Sequence, residues 1–205
     1  HESLLKKIQN GEVTLFTGAG FSLGGTVKGK NILSTNELIY KILLEILEYT
    51  NVDAERIKSR KNLKQICQLA IDKITEEEFN NIITRWFSNV TPAEFHKKYT
   101  IINWQQIFTL NIDDIIENAY NESNIELQIY NTRRQPQRIL GDNILPYYKL
   151  HGDVRNKSEG FVFSNNQYLT KLTDSIDSYG LIKFAESIYM NTICIIGTKL
   201  DEVDI

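Results

Sequence analysis

Near its start the chain runs Val13-Thr14-Leu15-Phe16, an apolar run of strand length, and then breaks into Gly18-Ala19-Gly20, Phe21-Ser22 and Gly24-Gly25. Glycines at the end of such a run mark a backbone that something must approach where a side chain would intrude. The arrangement recurs three times. Residues 106–110 run into Asn111 and Asp113, residues 147–150 into His151-Gly152-Asp153, and residues 192–196 into Gly197-Thr198. Short apolar strands that each stop on small or polar residues, with helical segments between them, specify an α/β fold. Its sheet is mainly parallel, with helices on both faces, and ligands bind beyond the carboxyl ends of such strands.

The segments between the strands read as follows. A short helix spans residues 3–9 and closes at Gly11. Ser34-Thr35-Asn36-Glu37 offers N-cap chemistry to a helix whose Leu38, Ile39, Ile42, Leu43, Ile46 and Leu47 share one face. Helices follow at 62–74 and 75–87, the second opening on three glutamates. Thr91-Pro92-Ala93-Glu94 has the form of a capping box with proline at the first helical position, for a helix reaching about Tyr99. An acidic helix spans 113–121, further strands are expected at 127–130 and 161–163, and a last helix at 179–190. The helix-rich stretch at about 23–100 interrupts the strand–helix alternation, so the chain is expected to be one domain, 1–205, with a helical insertion after its first strand.

Hydrophobic residues at 41% and charged residues at 24% describe an ordinary globular chain, and a net charge of -3 gives no basic footprint for direct nucleic-acid binding. No apolar stretch is long enough to span a bilayer, and no secretory pattern opens the chain. Cys67 and Cys194 stand far apart, each within an apolar pattern, and read as buried thiols of a cytoplasmic protein. Without a CxxC pair there is no cysteine zinc site, and no metal is expected. The chain opens on His1 and stops at Ile205 soon after a strongly apolar strand, and is expected to be the N-terminal part of a longer protein.

Each strand end admits two readings. Gly18-Ala19-Gly20 lets backbone N–H groups approach a diphosphate, or simply makes a tight turn. The dinucleotide fingerprint GxGxxG fails because Leu23 takes its third glycine position. Gly29-Lys30-Asn31 resembles the end of a P-loop but lacks the Ser or Thr that holds magnesium. Asn111 can hold a sugar or a water and Asp113 a hydroxyl or cation, or the two form an Asx-turn and an N-cap. His151 can serve as general base, with Gly152 leaving room for a ligand, or be satisfied by a backbone carbonyl. Gly197-Thr198 can contact a ribose or base, or end a strand. His96 and His1 are assigned no role.

Taken in order, Thr17-Gly18-Ala19-Gly20-Phe21-Ser22, Thr109-Leu110-Asn111-Ile112-Asp113, Leu150-His151-Gly152 and the segment from Gly197 resemble the signature of the sirtuin (SIR2) superfamily. The resemblance implies a Rossmann-like NAD-binding domain. Gly18, Ala19, Gly20, Phe21 and Ser22 would bind the NAD phosphates, and Thr109, Asn111 and Asp113 would line the nicotinamide-ribose pocket. His151 would be the catalytic base, with Asn111 and Asp113 beside it, and Gly197 and Thr198 would reach the adenosine end. Protein-deacylating sirtuins carry a four-cysteine zinc ribbon and a Pro-Asp-Phe-Arg run after the glycine loop. This chain has neither, reading Gly24-Gly25-Thr26-Val27 at the second position. It is more similar to the SIR2-like NAD hydrolase domains of bacterial anti-phage systems, which implies NAD+ as substrate rather than lasting cofactor. It further implies a homo-oligomer, and a C-terminal sensor domain or partner protein that triggers the activity. ADP-ribosyl transfer, cyclisation, or NAD sensing without turnover are the alternatives.

Overall fold

The computed structural model describes residues 2–130, 143–164, 166, 167, 169 and 179–198. Its centre is a five-stranded sheet of β1 (Val13–Thr17), β4 (Trp104–Thr109), β5 (Glu126–Tyr130), β6 (Ile144–Lys149) and β7 (Thr192–Ile196), in the order β5-β6-β4-β1-β7. Every pairing in it is parallel, so the fold is Rossmann-like α/β. All five residues of β1 are buried, as a strand with covered faces and two neighbours requires.

Successive side chains point to opposite faces of a strand, and two cores result. Val13, Leu15, Ile107 and Tyr147 face the larger one, built with α2 (Thr35–Glu45), α4 (Leu63–Lys73), α5 (Glu76–Phe87) and α7 (Ile115–Tyr120). On the other face Phe16, Phe108 and Tyr148 pack under Phe184 of α8 (Tyr179–Met190). Register puts Phe16, Phe108, Tyr148 and Tyr130 side by side across four strands. The rings stack, with centroids 4.6 Å apart for both Phe108–Tyr148 and Tyr130–Tyr148. Such pairs contribute about 0.5–1.5 kcal/mol each beyond burial.

Between β1 and β4 lie a hairpin, β2 (Thr26–Val27) with β3 (Lys30–Asn31), and α2 to α6; α1 (Glu2–Gln9) precedes β1. The cap foreseen at Ser34 is present as a full capping box, and Asn62 and Thr75, where none was foreseen, make two more. The hairpin and α3 (Asn51–Lys58), capped by Thr50, were not foreseen. Four expectations are corrected. Thr91 caps no helix: its N–H and C=O are bridged to Thr26, and α6 (Glu94–Tyr99) starts only after Ala93. Residues 161–163 form no strand but an extended strap, with Val162 N–H donating to the His151 carbonyl. Asp113 stays in the turn before α7, and Cys194 is only half-buried while Cys67 is fully so. Among the described residues no helix is long and apolar enough to cross a membrane.

Candidate active site

The carboxyl ends of β1, β4, β6 and β7 bring the four foreseen segments together. What the glycines approach first is the chain itself. Gly18 N–H donates to Ile196 O (3.0 Å) and Gly20 N–H to Gly197 O (2.7 Å). A Cβ on Gly18 would stand 2.6 Å from Thr198 Cβ, and one on Gly197, whose φ is +74°, would stand 2.1 Å from Phe21 N. The two loops are therefore backbone against backbone, with Ala19 and Gly20 left exposed at the tip. Phe21 spends its ring on the core, edge-on to His96 and Tyr99, so it can offer a ligand only main chain.

Asn111 ties the second turn to the first. Its side-chain amide donates to Gly18 O (2.9 Å) and to Ser22 Oγ (2.8 Å), while Ser22 Oγ–H donates to Asp113 Oδ2 (2.7 Å). With both amide donors committed, Asn111 Oδ1 is the remaining polar atom, and it accepts no hydrogen bond among the described residues. Thr109, fully buried, accepts from the Thr17 hydroxyl (2.8 Å) and the Asn111 N–H (3.0 Å) and so shapes the turn from below. Asp113 Oδ1 takes the Ile115 N–H. Burial pushes the Asp113 carboxyl above the usual carboxylate value, against the Ser22 hydrogen bond and the charge of Lys149.

His151 is buried at the end of β6, and its turn is stitched to the second one by Leu150 N–H to Thr109 O and Val154 N–H to Ile112 O. The space beside Gly152 is occupied: a Cβ there would lie 2.5 Å from Gly160 O, so this glycine admits the 161–163 strap. Beyond Thr198 the segment read from Gly197 lies outside the described residues.

Sequence reasoning passed over a charged group under the site. Lys149, with a fully buried side chain, donates to Glu117 Oε1 (2.6 Å), Asp153 Oδ1 (3.0 Å) and the Asp113 carbonyl (2.7 Å). Burial opposes its charge, but the two carboxylates outweigh burial and hold its pKa above the ordinary lysine value. Burial likewise pushes Glu117 up, with Lys149 pulling the other way. Removing the ammonium alone would strand buried carboxylates, at about 3–5 kcal/mol for a broken buried pair. The group's only trace in the sequence is a lysine inside an apolar strand; what brings Glu117 and Asp153 to it is the fold. His96, given no role, is structural. Its Nδ1 accepts from Ala93 N–H and its Nε2–H donates to Phe21 O (2.7 Å), and burial holds it below the usual histidine value, hence neutral.

A parallel sheet with a glycine turn on its central strand and polar side chains crowded at neighbouring strand ends defines a Rossmann-like ligand-binding protein. Residues 105–205 match the family model of the SIR2-like domain. SIR2-like domains act on NAD, so the match points to NAD-related activity. The matched span holds Asn111, Asp113, His151, Gly197 and Thr198. The glycine turn lies outside it, joined to it by the Asn111 hydrogen bonds. Comparison with the curated proteins returned no match.

Proposed function

We infer that the domain is an NAD+ glycohydrolase, cleaving the nicotinamide–ribose bond of NAD+ to nicotinamide and ADP-ribose, and that it depletes cellular NAD in bacterial anti-phage defence. The observation that carries this reading is the placement of Asn111. Its amide is pinned on Gly18 and Ser22, and Oδ1 remains as a fixed acceptor for a ribose hydroxyl or an attacking water at a sheet end of the SIR2-like family. Nicotinamide departs as a neutral ring from a cationic one, so the transition state resembles the oxocarbenium ion of glycoside cleavage. The protein then has to hold the ribose, place a water and stabilise ribosyl charge. Asn111 holds the ribose or water. His151 takes the proton that the attacking water loses, and Asp113 holds Ser22 and, through it, Asn111. Ala19, with its N–H at the exposed loop tip, takes the diphosphate, Gly20 leaving the backbone there open to it, and Thr198 the adenosine end.

On this reading NAD+ is a substrate that leaves as products, the whole chain acts as one domain with its helical insertion, and the trigger is a sensor domain or partner outside it, acting on a homo-oligomer. The test is NAD+ consumption by the longest native chain, with products resolved chromatographically, beside Asn111→Ala and His151→Ala. Stoichiometric nicotinamide and ADP-ribose, with turnover lowered at least about 100-fold in both variants as expected for loss of a positioned catalytic group, supports the reading. Measurable NAD+ binding without consumption under any trigger sinks it and leaves a sensor module. A cyclic or protein-linked product replaces hydrolysis by cyclisation or transfer.

A further inference from the structure

An ammonium has three N–H groups, and those of Lys149 go to three different pieces of chain: the turn after β4, helix α7, and the turn after β6. Glu117 and Asp153 offset its charge. The contact to the Asp113 carbonyl neutralises nothing; its content is geometric. That carbonyl belongs to the residue whose carboxylate holds Ser22 and through it Asn111, while Asp153 stands two residues beyond His151. Hydrophobic residues of like volume commonly match or exceed a buried ion pair in stability, so stability alone is a weak reason for a lysine here. Its distinctive capacity is to tie two turns to one point from below. Register places it there: Lys149 pairs with Thr109 in the last rung of the β4–β6 ladder, just before both turns begin.

We propose that Lys149 is a positioning residue of the site: its ammonium locks the Asn111–Asp113 turn to the His151–Asp153 turn and thereby fixes the separation between the residue that holds the ribose and the residue that takes the proton. The role in turnover rests on the NAD-cleavage reading; the locking of the turns does not.

The test uses the full chain and two variants. Lys149→Met/Glu117→Gln removes one charge of each sign, so no new net charge is buried. Asp153→Asn keeps the Lys149–Glu117 pair and a side-chain acceptor for Arg155 N–H, and weakens only the tie to the His151 turn. Each is followed by steady-state NAD+ kinetics and by hydrogen exchange of the two turns against the strands 13–17 and 104–108. Misplacement of reacting groups by about 1 Å costs on the order of 100-fold. Accordingly kcat is expected to fall about 100-fold in the double variant and about 10-fold in Asp153→Asn, with KM within about threefold of wild type. Both turns should exchange faster while the strands keep wild-type protection. Wild-type kcat and wild-type exchange of the turns in Asp153→Asn overturn the proposal, and that variant decides if the double variant does not fold. Faster exchange of strands and turns together, with kcat falling only as folded protein is lost, reduces Lys149 to a core residue and also overturns it. A wild-type chain that binds NAD+ without consuming it removes the reaction reading alone, and exchange at the turns then decides whether Lys149 locks them.

Discussion

Asp113 serves as scaffold and as charge at once. Its two oxygens take the Ser22 hydroxyl and the Ile115 N–H, yet burial keeps its pKa raised above 3.8. The native state therefore holds this proton more tightly than the unfolded chain. Between 3.8 and the raised native value the folded form binds more protons, and the stability this residue contributes is lost as pH rises through that window. Asp113→Asn lacks the titration but keeps an acceptor for Ser22. Its urea midpoint should therefore gain on wild type as pH rises above 3.8 through the raised native value; a gap that stays constant or widens against the variant contradicts the assignment. Residues of this kind were legible because Asn111, Asp113 and His151 each interrupt an apolar pattern at a strand end. Lys149 was not, because a lone lysine in a strand reads as a solvated edge. Only the sheet register, with Glu117 and Asp153 brought beneath it, turns that lysine into a buried hub.

The elements explain which local signals can be trusted. The capping motif Ser34-x-x-Glu37 worked because nothing else competes for those groups, and the Thr75-x-x-Glu78 motif likewise. Thr91 offered the same letters, but pairing with Thr26 took its backbone first. Helix α3 escaped notice because only Ala54 in it is buried and Val52 is 78% exposed, which leaves no apolar stripe to read. Its Thr50-x-x-Asp53 cap was the available clue. Phe161 and Phe163 looked like strand residues because they alternate, but Phe163 packs edge-on against both Phe79 and Phe161 and neither residue joins the ladder. One carboxylate ties the end of α5 to the turn before α7: Asp114 accepts from Asn89 N–H (2.9 Å) and Val90 N–H (2.8 Å), just past α5. Asp114→Ala should cost about 3 kcal/mol, since hydrogen bonds to a charged group contribute about 1.5–3 kcal/mol each and the Val90 donor would be left buried. Asp114→Asn, which retains an acceptor, should cost distinctly less. Equal losses in chemical denaturation would mean that the charge, and not the two amide contacts, fastens α5 to the turn.

At the scale of the molecule, the parallel sheet and its two helical faces followed from strand length and strand ends, and the order of the strands did not. Periodicity tells how a strand is buried, not which strand lies beside it. The order has consequences: β7 returns to the far side of β1, and the glycine turn is held from both sides, by Asn111 on one and by Ile196 and Gly197 on the other. A chain stopped at Asn191 should therefore bind NAD+ at least about 100-fold more weakly, roughly 2.8 kcal/mol, in calorimetry on samples whose helix content matches the full chain. Undiminished affinity would show that the Gly197 side adds nothing. The same connectivity sets a calendar for synthesis. Val13 must wait for Trp104, and then for Thr192, before its strand has both neighbours, and pairings so distant in sequence form late. A nascent chain whose residues 192–197 are still inside the ribosome thus carries no assembled site: the amides of Gly18 and Gly20 meet these acceptors only after Ile196 and Gly197 have left the exit tunnel. For a domain with the proposed chemistry, birth order is itself a safety catch, withholding activity until translation has passed β7.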